Sequence, residues 1–162
     1  MVKDDENAAL ALGGLTRGVS NLELTQAYGV IANGGKLQKA KFFSKIIDQN
    51  GKVLIDTTED EATQVMKEST AYLLTDAMRE SMESKRAFAS DVRVSSTSTR
   101  AHFDGMSQAG KSGTTSNNRD IWFVGFTPYY LAGVWGGCDE NQVLKDAGSG
   151  EYNGGTGFHK DI

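Results

Sequence analysis

The sequence holds one cysteine, Cys138, so no disulfide can close within the chain and no cysteine-rich zinc site can form. Cys138 itself reads as a small core or loop residue. Only two histidines occur, His102 and His159, in no metal-ligating spacing, and both read as surface imidazoles without a metal or other cofactor to hold. No apolar run approaches the roughly 18 residues of a membrane-spanning helix, and the opening MVKDDENAAL lacks the basic and apolar regions of a signal peptide. Seventeen Lys and Arg stand against 21 Asp and Glu, a net charge of −4, so the basic surplus that nucleic-acid phosphates require is missing. Proline occurs once, whereas the 19 glycines exceed the ordinary share and follow no fixed period, which marks turns and close backbone approaches. What remains is the composition of a soluble globular chain, and 162 residues have room for about one domain.

Local patterns then propose elements. Residues 8–18, AALALGGLTRG, suggest a packed loop. Ser20-Asn21-Leu22-Glu23 has the form of a capping box, Leu24, Ala27, Tyr28 and Ile31 follow at helical spacing, and Asn33-Gly34-Gly35 offers left-handed residues to stop a helix over about 21–33. KFFSKII and KVLID flank Asp48-Gln49-Asn50-Gly51, which predicts a β-hairpin over 41–56. A solvated loop at 57–63 leads to a second helix over about 65–84, capped by Ser69, with Ala71, Leu74, Met78 and Met82 as its core stripe beside Leu73 and Ala77. Residues 90–101, rich in Ser and Thr, read as a surface connection. Runs at 120–127 and 129–136, separated by Pro128, are two buried strands in hairpin order, and the small, polar stretch 106–115 suits a third strand lying against a ligand. Phe158 and the residues after it read as the start of a final helix.

Two motifs compete for one lysine. Gly105-Met-Ser-Gln-Ala-Gly-Lys111-Ser112 satisfies the phosphate-loop pattern, which would make the chain an NTPase. That chemistry needs a buried strand leading in and a helix leading out, and the polar residues on either side provide neither. The overlapping reading is Lys111-Ser112-Gly113, a K-[ST]-G strand signature of active-site serine penicillin-binding proteins and β-lactamases. A cation, hydroxyl donors and an aimed backbone amide on one rigid strand are what a substrate carboxylate and an attacked carbonyl require. Lys111 supplies the cation, Ser112 and Thr114 put hydroxyls on one side of the strand, and Gly113 keeps the edge open.

The block around this tripeptide, Ala109-Gly-Lys-Ser-Gly-Thr-Thr-Ser-Asn-Asn-Arg-Asp-Ile-Trp-Phe-Val-Gly-Phe-Thr-Pro128 with Leu131-Ala-Gly-Val-Trp135, resembles the later half of the transpeptidase domain of class A, bifunctional penicillin-binding proteins. Leu12-Gly-Gly-Leu-Thr-Arg-Gly-Val-Ser20, Ile31-Ala-Asn-Gly-Gly35 and Tyr72-Leu-Leu-Thr-Asp76 match family segments in order, so the resemblance runs along nearly the whole chain. It implies an α+β fold of the penicillin-binding and serine β-lactamase type, an antiparallel sheet with flanking helices, of which residues 1–162 are a part. It also implies a D,D-transpeptidase that cross-links peptidoglycan through an acyl-serine and is acylated by β-lactams. By resemblance, Lys111 and the Thr114 amide are catalytic, the latter as an oxyanion-hole donor, and Ser112, Gly113, Thr114 and Thr115 bind substrate.

The family's S-x-x-K nucleophile motif is absent, since no Ser has Lys three residues on, and S-x-N occurs only at Ser116-Asn117-Asn118, after the strand it should precede. The expectation is therefore a partial domain without the nucleophile segment and the final helix, inactive alone, whose partners are peptide stems, β-lactams and the remainder of its own domain. The parent would be extracytoplasmic and membrane-anchored, with the fragment soluble. The alternatives are a non-catalytic module that binds a carboxylate or peptide, and the phosphate-loop NTPase.

Overall fold

The computed structural model describes residues 3–58, 61–83, 85–88, 92–140 and 142–144. The site is positioned by a three-stranded antiparallel meander of β7 (Ala109–Thr114), β8 (Asp120–Phe126) and β9 (Leu131–Gly137), in the order β7-β8-β9. β-Branched and aromatic residues fill β8, and Ile121, Phe123, Val124 and Phe126 are buried there. Glycines at 110 and 125 leave room for the Phe123 ring, since a Cβ at either would stand 2.8 Å from a ring carbon.

Helix α1 (Asn21–Ala32) starts where the sequence reading placed it. The Ser20 hydroxyl accepts from the Glu23 amide, while the Glu23 carboxylate accepts from the Ser20 amide and from the Ser20 hydroxyl, and the two bonds to the carboxylate hold it below its ordinary range. Gly34 and Gly35 adopt the left-handed conformation that ends the helix, but Asn33 does not, with φ −100°. The helix lies on the face of β9, where Asn21 Nδ2 donates to the Gly133 carbonyl at 3.0 Å. Helix α2 (Glu68–Glu83) packs along β7, with Met82 against Gly110 and Phe123 on the opposite face, and the Ser81 hydroxyl donates to the Gly110 carbonyl at 3.0 Å.

Short pairs complete the described chain: β1 (Lys36–Leu37) with β4 (Thr63–Gln64), β2 (Lys45–Ile47) with β3 (Val53–Asp56), and β5 (Lys85–Phe88) with β6 (Val92–Ser95), all antiparallel. The β2–β3 turn is built as the Asn-Gly signal suggests, with Gly51 at φ 82° and the Asp48 carboxylate accepting the Asn50 and Lys52 amides.

Several local readings are corrected. Residues 8–12 form a 3-10 turn whose Leu12 is exposed, and the buried group nearby is the Asp5 carboxylate, which accepts from the Thr16 amide at 2.7 Å. Thr63 belongs to a strand rather than to the loop. Ser69 lies inside the first turn of α2, because the helix begins at Glu68, with Lys67 O accepting the first amides. Of the proposed stripe only Ala71 and Met82 are buried, whereas Leu73 is 67% and Leu74 39% exposed. The 90–101 segment holds β6 and a 3-10 turn, and Ser98 is fully buried. Strand β9 is only half-covered rather than buried, and of the two places open to Cys138 it takes the loop, where it is exposed. His159 and the expected helix start at 158 lie outside the described residues. Among the described residues no helix is long and apolar enough to cross a membrane, and no group of three metal-ligating side chains occurs.

Candidate active-site strand and cleft

Lys111 and Ser112 sit in the middle of β7, paired with Val124 and Phe123 of β8, and the next element after them is another strand. A phosphate loop needs its lysine at the mouth of a helix, so this geometry overturns the NTPase reading.

β7 is an edge strand, and its register decides which groups it offers. The Thr115 amide donates to the Asp120 carbonyl at 3.0 Å, so Thr115 and Asp120 stand at a bonded position of the ladder, joined by this one backbone bond, and Thr114 and Ile121 form the non-bonded pair beside it. Alternation turns the Thr114 and Ser112 N–H and C=O groups away from β8, toward the free edge. The Gly110 carbonyl obeys the same alternation and is the one that Ser81 reaches.

A cleft of about 1170 Å³ opens against this strand. Lys111, Ser112, Gly113, Thr114 and Thr115 line one wall together with Trp122, Val124 and Trp135, and the Leu12–Asn21 stretch with Leu24 and Tyr28 of α1 lines the other. Burial pushes the Tyr28 phenol above its ordinary range. Lys111 is exposed, and its Nζ bends over the edge to donate to the Ser112 carbonyl at 2.5 Å. The wall thus combines the Lys111 cation and outward-facing amides with an apolar floor, and Arg17 and Arg119 add positive charge to the lining against Asp120 and Asp139, an arrangement suited to an extended ligand ending in a carboxylate.

The hydroxyls behave differently from one another. Ser112 is 7% exposed, and its Oγ lies 2.5 Å from the Oγ of Thr97 on the sheet face away from Lys111. Thr115 Oγ1 donates to Asp120 Oδ2 and accepts from the Asp120 amide, both at 2.9 Å, so its one proton is committed within the hairpin. Thr114 remains exposed. Sequence reading missed Thr97 as the partner of Ser112. Its signal was the hydroxyl-rich run 95–99, which polarity alone assigns to the surface although Ser98 is buried and Ser96 binds the Ser81 carbonyl. Ser116, Asn117 and Asn118 form the β7–β8 turn, with both asparagines at positive φ, so the S-x-N match is turn chemistry.

An antiparallel meander with helices on its faces, presenting a lysine and outward-facing amides from an edge strand to a cleft, defines an α+β scaffold with a polar strand edge open to a ligand. Its relatives narrow the class. The family model of the penicillin-binding protein transpeptidase domain matches residues 4–135, and the chain belongs to that family. It is similar to penicillin-binding protein 1A of Clostridium botulinum, 35% identical over 137 residues that make up 85% of this chain and 15% of that protein. Likeness to penicillin-binding protein 4 of Bacillus subtilis is comparable, 35% over 139 residues, 86% of this chain and 20% of that one. Among solved structures, PonA1 from Mycobacterium tuberculosis superposes with a TM-score of 0.78 at 25% identity, over 98% of this chain and 40% of that one, and PonA1 has also been solved in complex with penicillin V. The Haemophilus influenzae penicillin-binding protein 1A shares the fold at a TM-score of 0.67 and 21% identity, over 88% of this chain and 25% of that one. The chain therefore spans well under a quarter of the length of these two curated relatives.

Proposed function

We propose that these 162 residues are the carboxylate-binding and oxyanion-binding part of a longer D,D-transpeptidase that cross-links peptidoglycan through an acyl-serine and is acylated by β-lactams. The observation that carries the reading is the Thr114 N–H on the free edge of β7, next to Lys111 in the cleft and inside the family match. Lys111 holds the carboxylate of the peptide stem or of the β-lactam. Gly113 has no side chain to hold the ligand off the edge, so the ligand backbone lies along β7 as an added strand. The Thr114 amide, with a second donor from elsewhere in the domain, receives the negative charge that develops on the attacked carbonyl oxygen. Ser112, steadied by Thr97, fixes the strand beneath.

The nucleophilic serine and the lysine that takes its proton lie in a segment outside these residues, as does the membrane anchor that keeps the enzyme on the extracytoplasmic side. Ser112 cannot substitute, because its hydroxyl faces Thr97 and Lys111 projects from the other face. Fluorescent penicillin should label the full-length protein at one serine, whereas the 162-residue chain incubated with the same drug should show no mass increase. A stoichiometric adduct on the short chain would refute the division of labour. An unlabelled full-length protein would make this strand a binding module without catalysis.

A further inference from the structure

Asp120 ends the β7–β8 ladder in an unusual way. Its backbone carbonyl accepts from the Thr115 amide, but its own amide donates to the Thr115 hydroxyl instead of the Thr115 carbonyl, which is turned to the Asn118 amide. The same hydroxyl donates to Asp120 Oδ2 at 2.9 Å, and the other carboxylate oxygen accepts from Trp135 Nε1 at 3.0 Å. One carboxylate thus ties the end of β7 to β9 across β8. Gly137 makes the reach possible, since a Cβ there would overlap the Trp135 ring, with Cε2 at 2.8 Å. Thr115, Asp120 and Trp135 all face the cleft.

The residue that this latch adjoins is Thr114, whose amide has no β8 partner of its own. Two rungs hold its direction, one at Gly113 and one at Thr115, and the second is the last before the turn. Edge groups next to a frayed rung swing, and an oxyanion donor loses most of its effect when its aim is off by a fraction of an ångström.

We infer that Asp120 is a positioning residue for the reaction: its carboxylate, held by Thr115 and Trp135, fixes the terminal rung and with it the aim of the Thr114 amide. The inference rests on the function proposed above. Its test is stopped-flow acylation of the full-length protein by a fluorescent penicillin, with burst amplitude, binding constant and acylation rate constant resolved separately. Asp120→Ala should keep a stoichiometric burst and a binding constant within about twofold, while the acylation rate constant falls about tenfold. Asp120→Asn, which keeps one acceptor oxygen, should recover part of that rate, and Trp135→Phe, which leaves the Thr115 bond, should lose less than Asp120→Ala. Trp135→Phe also keeps the test readable if the alanine variant does not fold. An unchanged rate constant with a full burst in the Asp120 variants would overturn the latch alone, as would a fall in amplitude with no change in rate. No burst from the unsubstituted protein would overturn the transpeptidase reading, and the latch with it.

Discussion

Substituting Gly133 tests how α1 is joined to the sheet. An alanine Cβ at this position would overlap Thr25 Oγ1 and stand 2.9 Å from Asn21 Oδ1 and 3.1 Å from Thr25 Cβ. The Thr25 and Asn21 side chains must then turn aside and α1 must shift slightly to free the Thr25 Cβ, which also breaks the bond from Asn21 Nδ2 to the Gly133 carbonyl. Overpacking of this kind costs about 1–3 kcal/mol, and a lost hydrogen bond adds about 1 kcal/mol, so Gly133→Ala should destabilise by roughly 2–4 kcal/mol. At about 2–4 °C per kcal/mol for a domain of this size, melting followed by circular dichroism should fall by roughly 4–16 °C. Thr25→Ala alone removes only an exposed bond to Asn21 and should cost little. Combined with Gly133→Ala it should recover about half of the loss, because the Thr25 Cβ contact remains. A Gly133→Ala protein melting within 2 °C of the parent would refute the argument that only glycine lets α1 sit here.

Three further outcomes are expected. Lys111→Ala in the full-length protein should slow acylation by penicillin about a hundredfold at unchanged melting temperature, since Lys111 is exposed in the cleft and its loss opens no cavity; stopped-flow rates within twofold would sink its role. The isolated chain should self-associate or bind an apolar dye, because Phe42, Ile47, Leu54, Tyr72, Leu73 and Tyr130 are exposed; a monodisperse monomer in sedimentation that binds no dye would contradict this. Lys45 foremost, and Thr58 with it, hold the Asp56 carboxyl well below its usual range, so its contribution to the β2–β3 hairpin is complete above about pH 4 and is lost as pH falls through the lower folded value. An Asp56 carboxyl signal titrating at or above about pH 4 in NMR would show that the ion pair does not form in solution.

Elements governed by nearest neighbours were legible in the chain: the Ser20 capping box, the Asn50-Gly51 turn and the meander with Pro128 at its second bend all stand where sequence places them. Features set by remote partners were not. The Ala71–Met82 stripe has the period of a core helix, yet Leu73 and Leu74 face solvent, because periodicity names a face without naming what covers it. Segment 95–99 looked like a surface run, since a hydroxyl that satisfies a buried strand is indistinguishable in sequence from one that meets water. Within the candidate site, the strand pattern points to Lys111 and the family resemblance to the Thr114 amide, and the structure sets the first in the cleft and the second on the free edge of β7. The commitment of Thr115 to Asp120, and of Ser112 to Thr97, required side-chain positions.

The consecutive order of β7, β8 and β9 also bears on how the chain reaches its fold. Each strand pairs with its successor across a short turn, so the meander closes small loops, whereas α1 joins β9 through Asn21 and Gly133, 112 residues apart. Closure entropy favours the short loops first, and the long one is rewarded only once a formed β9 presents its flat glycine surface. Pulse-labelled hydrogen exchange during refolding should protect the β8 amides before those of α1, and protection in the reverse order would count against this route. The glycine that admits the helix is therefore also the point at which the early and the late halves of the chain are stitched together.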